Sequence, residues 1–440
     1  MNTQGTKHYI KELLNIALPI IMGNLGFILI GAGDVLIAGR HSTDTLAAIS
    51  IATAISNCIL TFGIGLIASV SPLLSNYRGE NKSAKKYFFP TIRFAMILAC
   101  IMAVIQLLFV PLIDYLGFEA KLVPDIKEYM IITAFATFGG YLHAALKEYL
   151  QAFEIVLFPN LVTVFCVFLN VILNIVLVFG YGAIPSLGAV GLAIASFIVR
   201  YVMGIVLLIY CLKIMSCRNY HDKNYYKSLL KIGLPISCAI LIEFVAFNSI
   251  AIFMGRVSGV YAAAQNLVCT LTTVSFMVPL AISNAIAVKV GFANGAKIFT
   301  DLKKYSIIGI LMCVGFMACS ALVFCSVPGF LVGLFTKDLE LIKISVPILY
   351  VLAMFQVFDG LQVALSGIYK GIKKTKIVLI ANFMGYWIIS IPVGYYLAFH
   401  QNMKLIGFWY GLCGAAVALC TFMLVMLSKY FNRLKREFNN

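Results

Sequence analysis

Twelve long apolar runs fill the chain, at roughly 15–39, 46–76, 88–113, 126–146, 158–180, 187–212, 230–254, 261–288, 304–329, 343–369, 376–399 and 405–428. Each is near or above the roughly 20 residues that a helix needs to cross a bilayer core. Backbone polar groups inside lipid must pair with one another, so only helices and closed barrels span it. The runs are too long for strands and do not alternate, which leaves helices. Composition agrees: 62% of the 440 residues are hydrophobic and 11% charged, where a soluble domain carries about 25% charged residues. The chain therefore reads as a polytopic membrane protein. Its N-terminus is polar up to Asn15 and the first run continues into a full span, so that run is a first helix and not a cleaved signal.

A formal charge of +16 could suggest a nucleic-acid partner, but the positions of the charges argue otherwise. Lys82, Lys85 and Lys86, Arg218, Lys303 and Lys304, Lys370, Lys373, Lys374 and Lys376, and Lys429, Arg433, Lys435 and Arg436 all fall on the side of the two termini. The opposite side holds Arg40, Lys121, Lys127, Arg256, Lys337, Lys343 and Lys404. This is the positive-inside bias, and it places both termini and the 213–231 loop in the cytoplasm. Basic charge here reports topology, and no nucleic-acid partner is expected.

The six-span halves can be overlaid. Leu18-Pro19-Ile20, Gly39-Arg40, Ser42, Ala47-Ala48 and Gly79 reappear 216 residues later as Leu234-Pro235-Ile236, Gly255-Arg256, Ser258, Ala263-Ala264 and Gly295. Farther on the offset becomes 219, matching Ala145-Leu146 to Ala364-Leu365. Six spans is an even number, so the second copy enters from the same side as the first. Parallel repeats of this kind are related by an axis along the membrane normal, with a cavity between them near the midplane. The expected divisions are an N-lobe at 1–212, a linker at 213–229 and a C-lobe at 230–440.

Against this apolar background, acids stand out. Asp359 lies about eleven residues above the Lys370–Lys376 cluster, or about 16 Å at the helical rise, close to the middle of a core ~30 Å thick. Glu243 lies about twelve residues from both Lys231 and Arg256, at similar depth. Carboxylates at that depth are costly unless they face a protein interior or a water-filled cavity, and mark functional sites by default. Arg93 and Arg200 read as closer to helix ends, so no salt-bridge partner is expected at this depth. Glu243 and Asp359 must then be protonated or bind a cation. Asp34 is shallower, after Gly31-Ala32-Gly33, and Asn170 and Asn174 sit at i and i+4 on one helical face. These amide oxygens could complete a cation site with Asp34, or serve as interhelical hydrogen-bonding glue.

Phe355, Gln356, Gln265 and Met254 are candidates for a substrate cavity. Methionines such as Met22, Met254, Met277, Met354 and Met384 could line it too, although packing or lipid contact is the commoner use of Met at helical spacing. The twelve cysteines form no Cys-x-x-Cys pair and read as small buried hydrophobes. His8, His41, His143, His221 and His400 are scattered, and no phosphate loop, zinc pattern or dinucleotide fingerprint is present. The expectations are no enzymatic activity and no cofactor, with work drawn from an ion gradient.

The chain resembles the multidrug and toxic compound extrusion (MATE) family, most of all its NorM-type branch. The resemblance covers nearly the whole chain. It rests on Leu18-Pro19 … Asp34 … Gly39-Arg40, on Phe62-Gly63-Ile64-Gly65 with Pro72-Leu73, and on Leu169-Asn170 … Leu173-Asn174 … Gly180-Tyr181-Gly182 … Pro185 … Leu187-Gly188-Ala189. Phe355-Gln356 … Asp359-Gly360-Leu361-Gln362 … Ser366-Gly367 … Gly371 and Gly407-Phe408-Trp409-Tyr410-Gly411 complete it.

The resemblance implies an all-α membrane protein: twelve transmembrane helices as two six-helix bundles in parallel repeat, V-shaped with a central cavity. It implies export of small cationic amphiphiles in exchange for Na⁺ or H⁺. Glu243 and Asp359 would be the C-lobe coupling site (and the Na⁺ ligands if sodium drives it), with Asp34, Asn170 and Asn174 in the N-lobe. A monomer in the cell inner membrane is expected, its partners being the lipid bilayer and its small-molecule cargo. Three departures stand out. Asn174 is neutral where some relatives carry a carboxylate. Phe355 stands where some carry a tyrosine one turn before the acid, which removes an oxygen ligand. Lys147 and Lys370 replace arginines usual in the matching loops. An alternative is a flippase for lipid-linked oligosaccharide precursors, which should show cationic residues within the cavity to hold pyrophosphate.

Overall fold

The computed structural model describes residues 5–182, 185–215, 220 and 222–439, with side chains to Arg436. Arg218, His221 and part of the 213–229 linker lie outside the described residues. Among those described, twelve helices are long and apolar enough to cross a membrane: α1 Thr6–His41, α2 Thr43–Gly79, α3 Ala84–Tyr115, α4 Val123–Gln151, α5 Leu157–Phe179, α6 Gly188–Ile214, α7 Lys223–Gly255, α8 Gly259–Gly295, α9 Phe299–Ser326, α10 Leu339–Gly371, α11 Lys376–His400 and α12 Lys404–Arg436. They correspond one to one with the apolar runs. Most continue beyond their run, because a helix need not stop where the lipid does.

The repeat is written into the backbone. Ser42 caps α2 by accepting from the Thr45 N–H, and Ser258, 216 residues on, caps α8 by accepting from the Val260 N–H. Asn81 and Lys297, at the same offset, both take the left-handed conformation (φ 54° and 58°) where a helix ends. Glu154 and Lys373, 219 apart, do so too (φ 65° and 59°). Span α11 departs from its counterpart. It widens into π-helical turns at Phe383–Ser390 and Tyr396–His400, on either side of Pro392. A proline inside a helix lacks the N–H and crowds the carbonyl four residues back, here that of Ile388, and a π turn relieves the clash.

Two compact units emerge, and their borders differ from the repeat boundary. The N-terminal unit holds Leu18–Leu74 and Lys82–Ser237, and the C-terminal unit holds Met1–Ala17, Ser75–Asn81 and Cys238–Asn440. The first turns of α1 stay with the C-terminal unit through polar contacts. The Tyr9 hydroxyl donates to Asp301 at 2.8 Å, Lys289 pairs with Glu12 at 3.4 Å, and the Tyr305 hydroxyl donates to Glu12. In the N-terminal unit, Ala52, Tyr129, Met130 and Leu192 belong to one buried apolar cluster. In the C-terminal unit, Met254, Phe355, Leu412 and Trp409 share another. On the side away from the termini Lys121 bridges Asp44 (2.8 Å) and Glu119 (3.4 Å), and the hydrogen bond to Asp44 pushes its pKa up.

Gly79 and Gly295, equivalent in the repeat, meet each other's helices within the C-terminal unit. A Cβ on Gly79 would lie 2.1 Å from the Phe292 carbonyl oxygen, and one on Gly295 would lie 2.1 Å from that of Asn76. Asn76 and Phe292 are themselves 216 apart, so the contact is reciprocal about a local two-fold. Asn76 also donates to the Gly371 carbonyl at 2.8 Å and accepts from Asn294 at 2.7 Å. Both glycine contacts are with backbone, which cannot rotate away. Gly295→Val should therefore lower folding stability by about 1–3 kcal/mol, the range for overpacking. The check is the thermal unfolding midpoint of the detergent-purified protein, compared with the exposed control Gly315→Ala, which should leave it unchanged.

Candidate functional site

The C-terminal unit brings Glu243 of α7, Asp359 and Gln362 of α10, and Asn382 and Tyr386 of α11 into one polar nest. The Tyr386 hydroxyl donates to Gln362 Oε1 at 3.2 Å, Gln362 Nε2 to Asn382 Oδ1 at 3.3 Å, and Asn382 Nδ2 to Glu243 Oε2 at 3.4 Å. The Tyr386 hydroxyl is also within hydrogen-bonding reach of Glu243, and Asp359 lies within electrostatic reach of the same carboxylate. Asp359 is 2% exposed, and among the described residues no hydrogen-bond donor is found for its carboxyl. Lys370, at the end of α10, lies within electrostatic reach of Glu243.

The sequence reading missed Gln362, Asn382 and Tyr386. Gln362 is three residues after Asp359 and so projects to the same side of α10. Asn382 and Tyr386 sit at i and i+4 where the π-helical stretch of α11 begins. Tyr386 brings a phenolic oxygen to the nest from α11. Phe355 itself is packed against Phe247 and Trp409.

In the N-terminal unit Asn174 Nδ2 donates to Asp34 Oδ1 at 2.6 Å and to Asn170 Oδ1 at 3.1 Å. The three predicted residues therefore form one cluster across α1 and α5. Among the described residues Asn170 Nδ2 and Asn174 Oδ1 remain buried without a partner, so the cluster has unused donor and acceptor capacity. Ser196 and Arg200 of α6 face Asp34 as well. Arg200, expected near a helix end, lies alongside α4 with its Cδ 3.5 Å from where a Cβ on Gly140 would stand.

The four residues expected to line a substrate cavity are placed inside the packed core of the C-terminal unit. Met254 and Phe355 belong to its apolar cluster. Gln356 Nε2 donates to Ser275 Oγ at 2.8 Å, and Gln265 Oε1 accepts from Trp409 Nε1 at 3.0 Å. All four are at most 1% exposed, so none faces open space in this structure. Met22, Met354 and Met384, by contrast, are exposed.

A doubled set of six spans with acids inside the spans of each half is the architecture of a secondary membrane transporter. Comparison with known proteins narrows the class. The MatE family profile matches residues 19–176 and 235–396. Over 455 residues the chain is 26% identical to a probable multidrug resistance protein NorM of Bacillus subtilis, covering 99% of both chains. It is 27% identical to the protein of the same name in Photorhabdus laumondii, covering 92% of each. Its fold matches that of the eukaryotic MATE transporter AtDTX14, with a TM-score of 0.87 at 18% identity over 99% of this chain and 100% of that one. It also matches a MOP superfamily transporter from Pyrococcus furiosus, with a TM-score of 0.88 at 18% identity over 99% of both. The chain belongs to the MatE family of multidrug and toxic compound extrusion transporters. Its members are transporters rather than enzymes.

The hydrogen bond from Asn174 to the Asp34 carboxyl is part-buried, and it is charge-assisted, the stronger kind, whenever that carboxyl is ionised. Asn174→Ala should cost about 1–3 kcal/mol of stability by leaving Asp34 short of a donor. A thermal unfolding series comparing it with Asp34→Asn and the double variant tests this. Coupling between the two sites shows as a double loss smaller than the sum of the singles.

Proposed function

We propose that this protein exports small cationic amphiphiles from the cell in exchange for Na⁺ or H⁺. The observation that carries this is Asp359, a carboxyl expected at mid-span depth that has no hydrogen-bond donor among the described residues and lies within electrostatic reach of a second acid. Such a group is stable only with a bound proton or cation, which is the requirement for a coupling site. Glu243 and Asp359 supply carboxylate oxygens, and Gln362, Asn382 and Tyr386 supply neutral ones, a set that suits a hard cation as well as a proton. Asp34, Asn170 and Asn174 form a second ion or proton site. The coupling ion need only bind two lobe arrangements unequally for its gradient to bias alternating access. The positive-inside bias supports cytoplasmic termini, the bacterial relatives support the inner membrane, and a monomer completes this reading. The name shared by its curated relatives, probable multidrug resistance protein, supports drug-like cargo and weighs against the flippase alternative.

Accumulation of a fluorescent organic cation in pump-deficient bacterial cells tests the proposal. Wild type should lower accumulation below the empty-vector level. Glu243→Gln and Asp359→Asn, at matched membrane expression, should each cut the efflux rate at least about tenfold, the effect of losing roughly 1.4 kcal/mol of differential binding. Dependence on Na⁺ at fixed pH identifies sodium, and insensitivity identifies protons. Tyr386→Phe should reduce efflux less than either acid substitution, since it removes one neutral oxygen. Accumulation equal to the empty vector for several cations would refute the export reading.

A further inference from the structure

The repeat offsets that relate the halves carry the C-terminal acid nest onto a place in the N-terminal unit that the export reading does not use. At 216 residues Glu243 corresponds to Phe27, and at 219 Gln362 corresponds to His143 and Asn382 to Thr163. These counterparts also meet in space. His143 Nε2 lies 3.5 Å from Thr163 Oγ1, and its ring sits 5.8 Å from that of Phe27. The same three-helix nook, between α1, α4 and α5, is built in both halves. In the first half the carboxylate is gone and Lys147 enters, its Nζ 5.6 Å from the Phe27 ring centre.

Lys147 is one turn from the end of α4, where a lysine would ordinarily extend outward to the headgroups. It does the reverse. Helical side chains lean toward the N-terminus of their helix, and that direction carries the ammonium back along the span to Phe27, the counterpart of mid-span Glu243. No acceptor among the described residues takes a hydrogen bond from its Nζ. The carboxylate within its electrostatic reach is Glu148, the adjacent residue, which issues from a different face of the helix. His143 is 2% exposed, and its Nδ1 has no partner among the described residues. An ammonium drawn inward, over a ring face and beside an imidazole and a hydroxyl, makes no ion pair within 4 Å among the described residues.

We propose that this nook binds an anionic oxygen group, a phosphate or a carboxylate, with Lys147 supplying the charge and the His143 Nδ1–H a hydrogen bond, while Thr163, whose hydroxyl donates to the Pro159 carbonyl at 3.2 Å, borders it. The N-terminal half then carries a site of opposite polarity to the acid nest at the equivalent place in the C-terminal half. The anion has two sources, a lipid headgroup that reaches in from the bilayer or a free solute.

The test uses the purified full-length protein and reads its unfolding midpoint. In one arm, protein in a nonionic maltoside is titrated with sodium phosphate against sodium chloride at equal ionic strength. In the other, protein in nanodiscs of phosphatidylcholine is compared with nanodiscs containing phosphatidylglycerol. A saturable rise with phosphate assigns a free anion, and a rise with phosphatidylglycerol alone assigns a lipid. In whichever arm responds, Lys147→Gln should weaken the apparent affinity about ten- to a hundredfold, the worth of a charge-assisted hydrogen bond. His143→Gln should weaken it less, and Lys147→Arg should retain it, which separates loss of charge from loss of fold. Glu243→Gln should leave it unchanged, so failure of the export reading would not disturb this result. No response in either arm, or a response that survives Lys147→Gln, would overturn the proposal.

Discussion

A carboxyl group deep in an apolar helix bundle is unstable unless something neutralises it, and the C-terminal half is arranged around that constraint. Asp359 sits where helix α10 passes α9 closely: a Cβ on the next residue, Gly360, would stand 2.7 Å from the Met317 side chain. Met317 of α9 thus packs against one side of α10. On the other side the hydrogen bonds run from Tyr386 through Gln362 and Asn382 to Glu243 and stop short of Asp359. The group is left to a proton or a cation. A site that must exchange one small ion for another state of charge is what a gradient-driven pump requires, and a permanently satisfied salt bridge would defeat it.

The two halves share a scaffold and differ in chemistry. Equivalent serines cap equivalent helices, and equivalent glycines face each other's backbone. The deep acids do not follow the repeat. The position of Asp359 is Gly140 in the first half, with Arg200 against it, and the position of Glu243 is Phe27. Duplicated packing thus fixes where deep polar groups can stand, and later substitution decides their sign.

Much of this was legible in the sequence because lipid enforces it. A span must be long and apolar, so all twelve were visible; a deep acid is rare, so Glu243 and Asp359 stood out; Asn170 and Asn174 are one turn apart, so their shared face followed from helical geometry. What escaped depends on how helices rotate against one another. Asn382 and Tyr386 join the acids from a span whose π turns break the 3.6-residue period, and no period-based reading follows them. Arg200 was judged by its distance along α6, whereas its long side chain can reach a carboxyl well away from its own Cα. Gln356 and Gln265 looked like cavity lining because they are polar, but both are buried in the core, where Gln356 bonds Ser275 and Gln265 bonds Trp409. The departure of residues 1–17 from their own repeat rests on contacts such as Tyr9 with Asp301, nearly 300 residues apart and invisible to local pattern.

The most direct measurement is ion release on cargo binding. Purified protein in weakly buffered detergent solution would receive tetraphenylphosphonium while pH is followed, and in parallel the displacement of bound radioactive Na⁺ would be counted. The account predicts that wild type gives up protons or Na⁺ as the organic cation binds, and that Asp359→Asn gives up neither. Tight binding of the organic cation with no release of either ion, or release that persists in the Glu243→Gln, Asp359→Asn double variant, would contradict it.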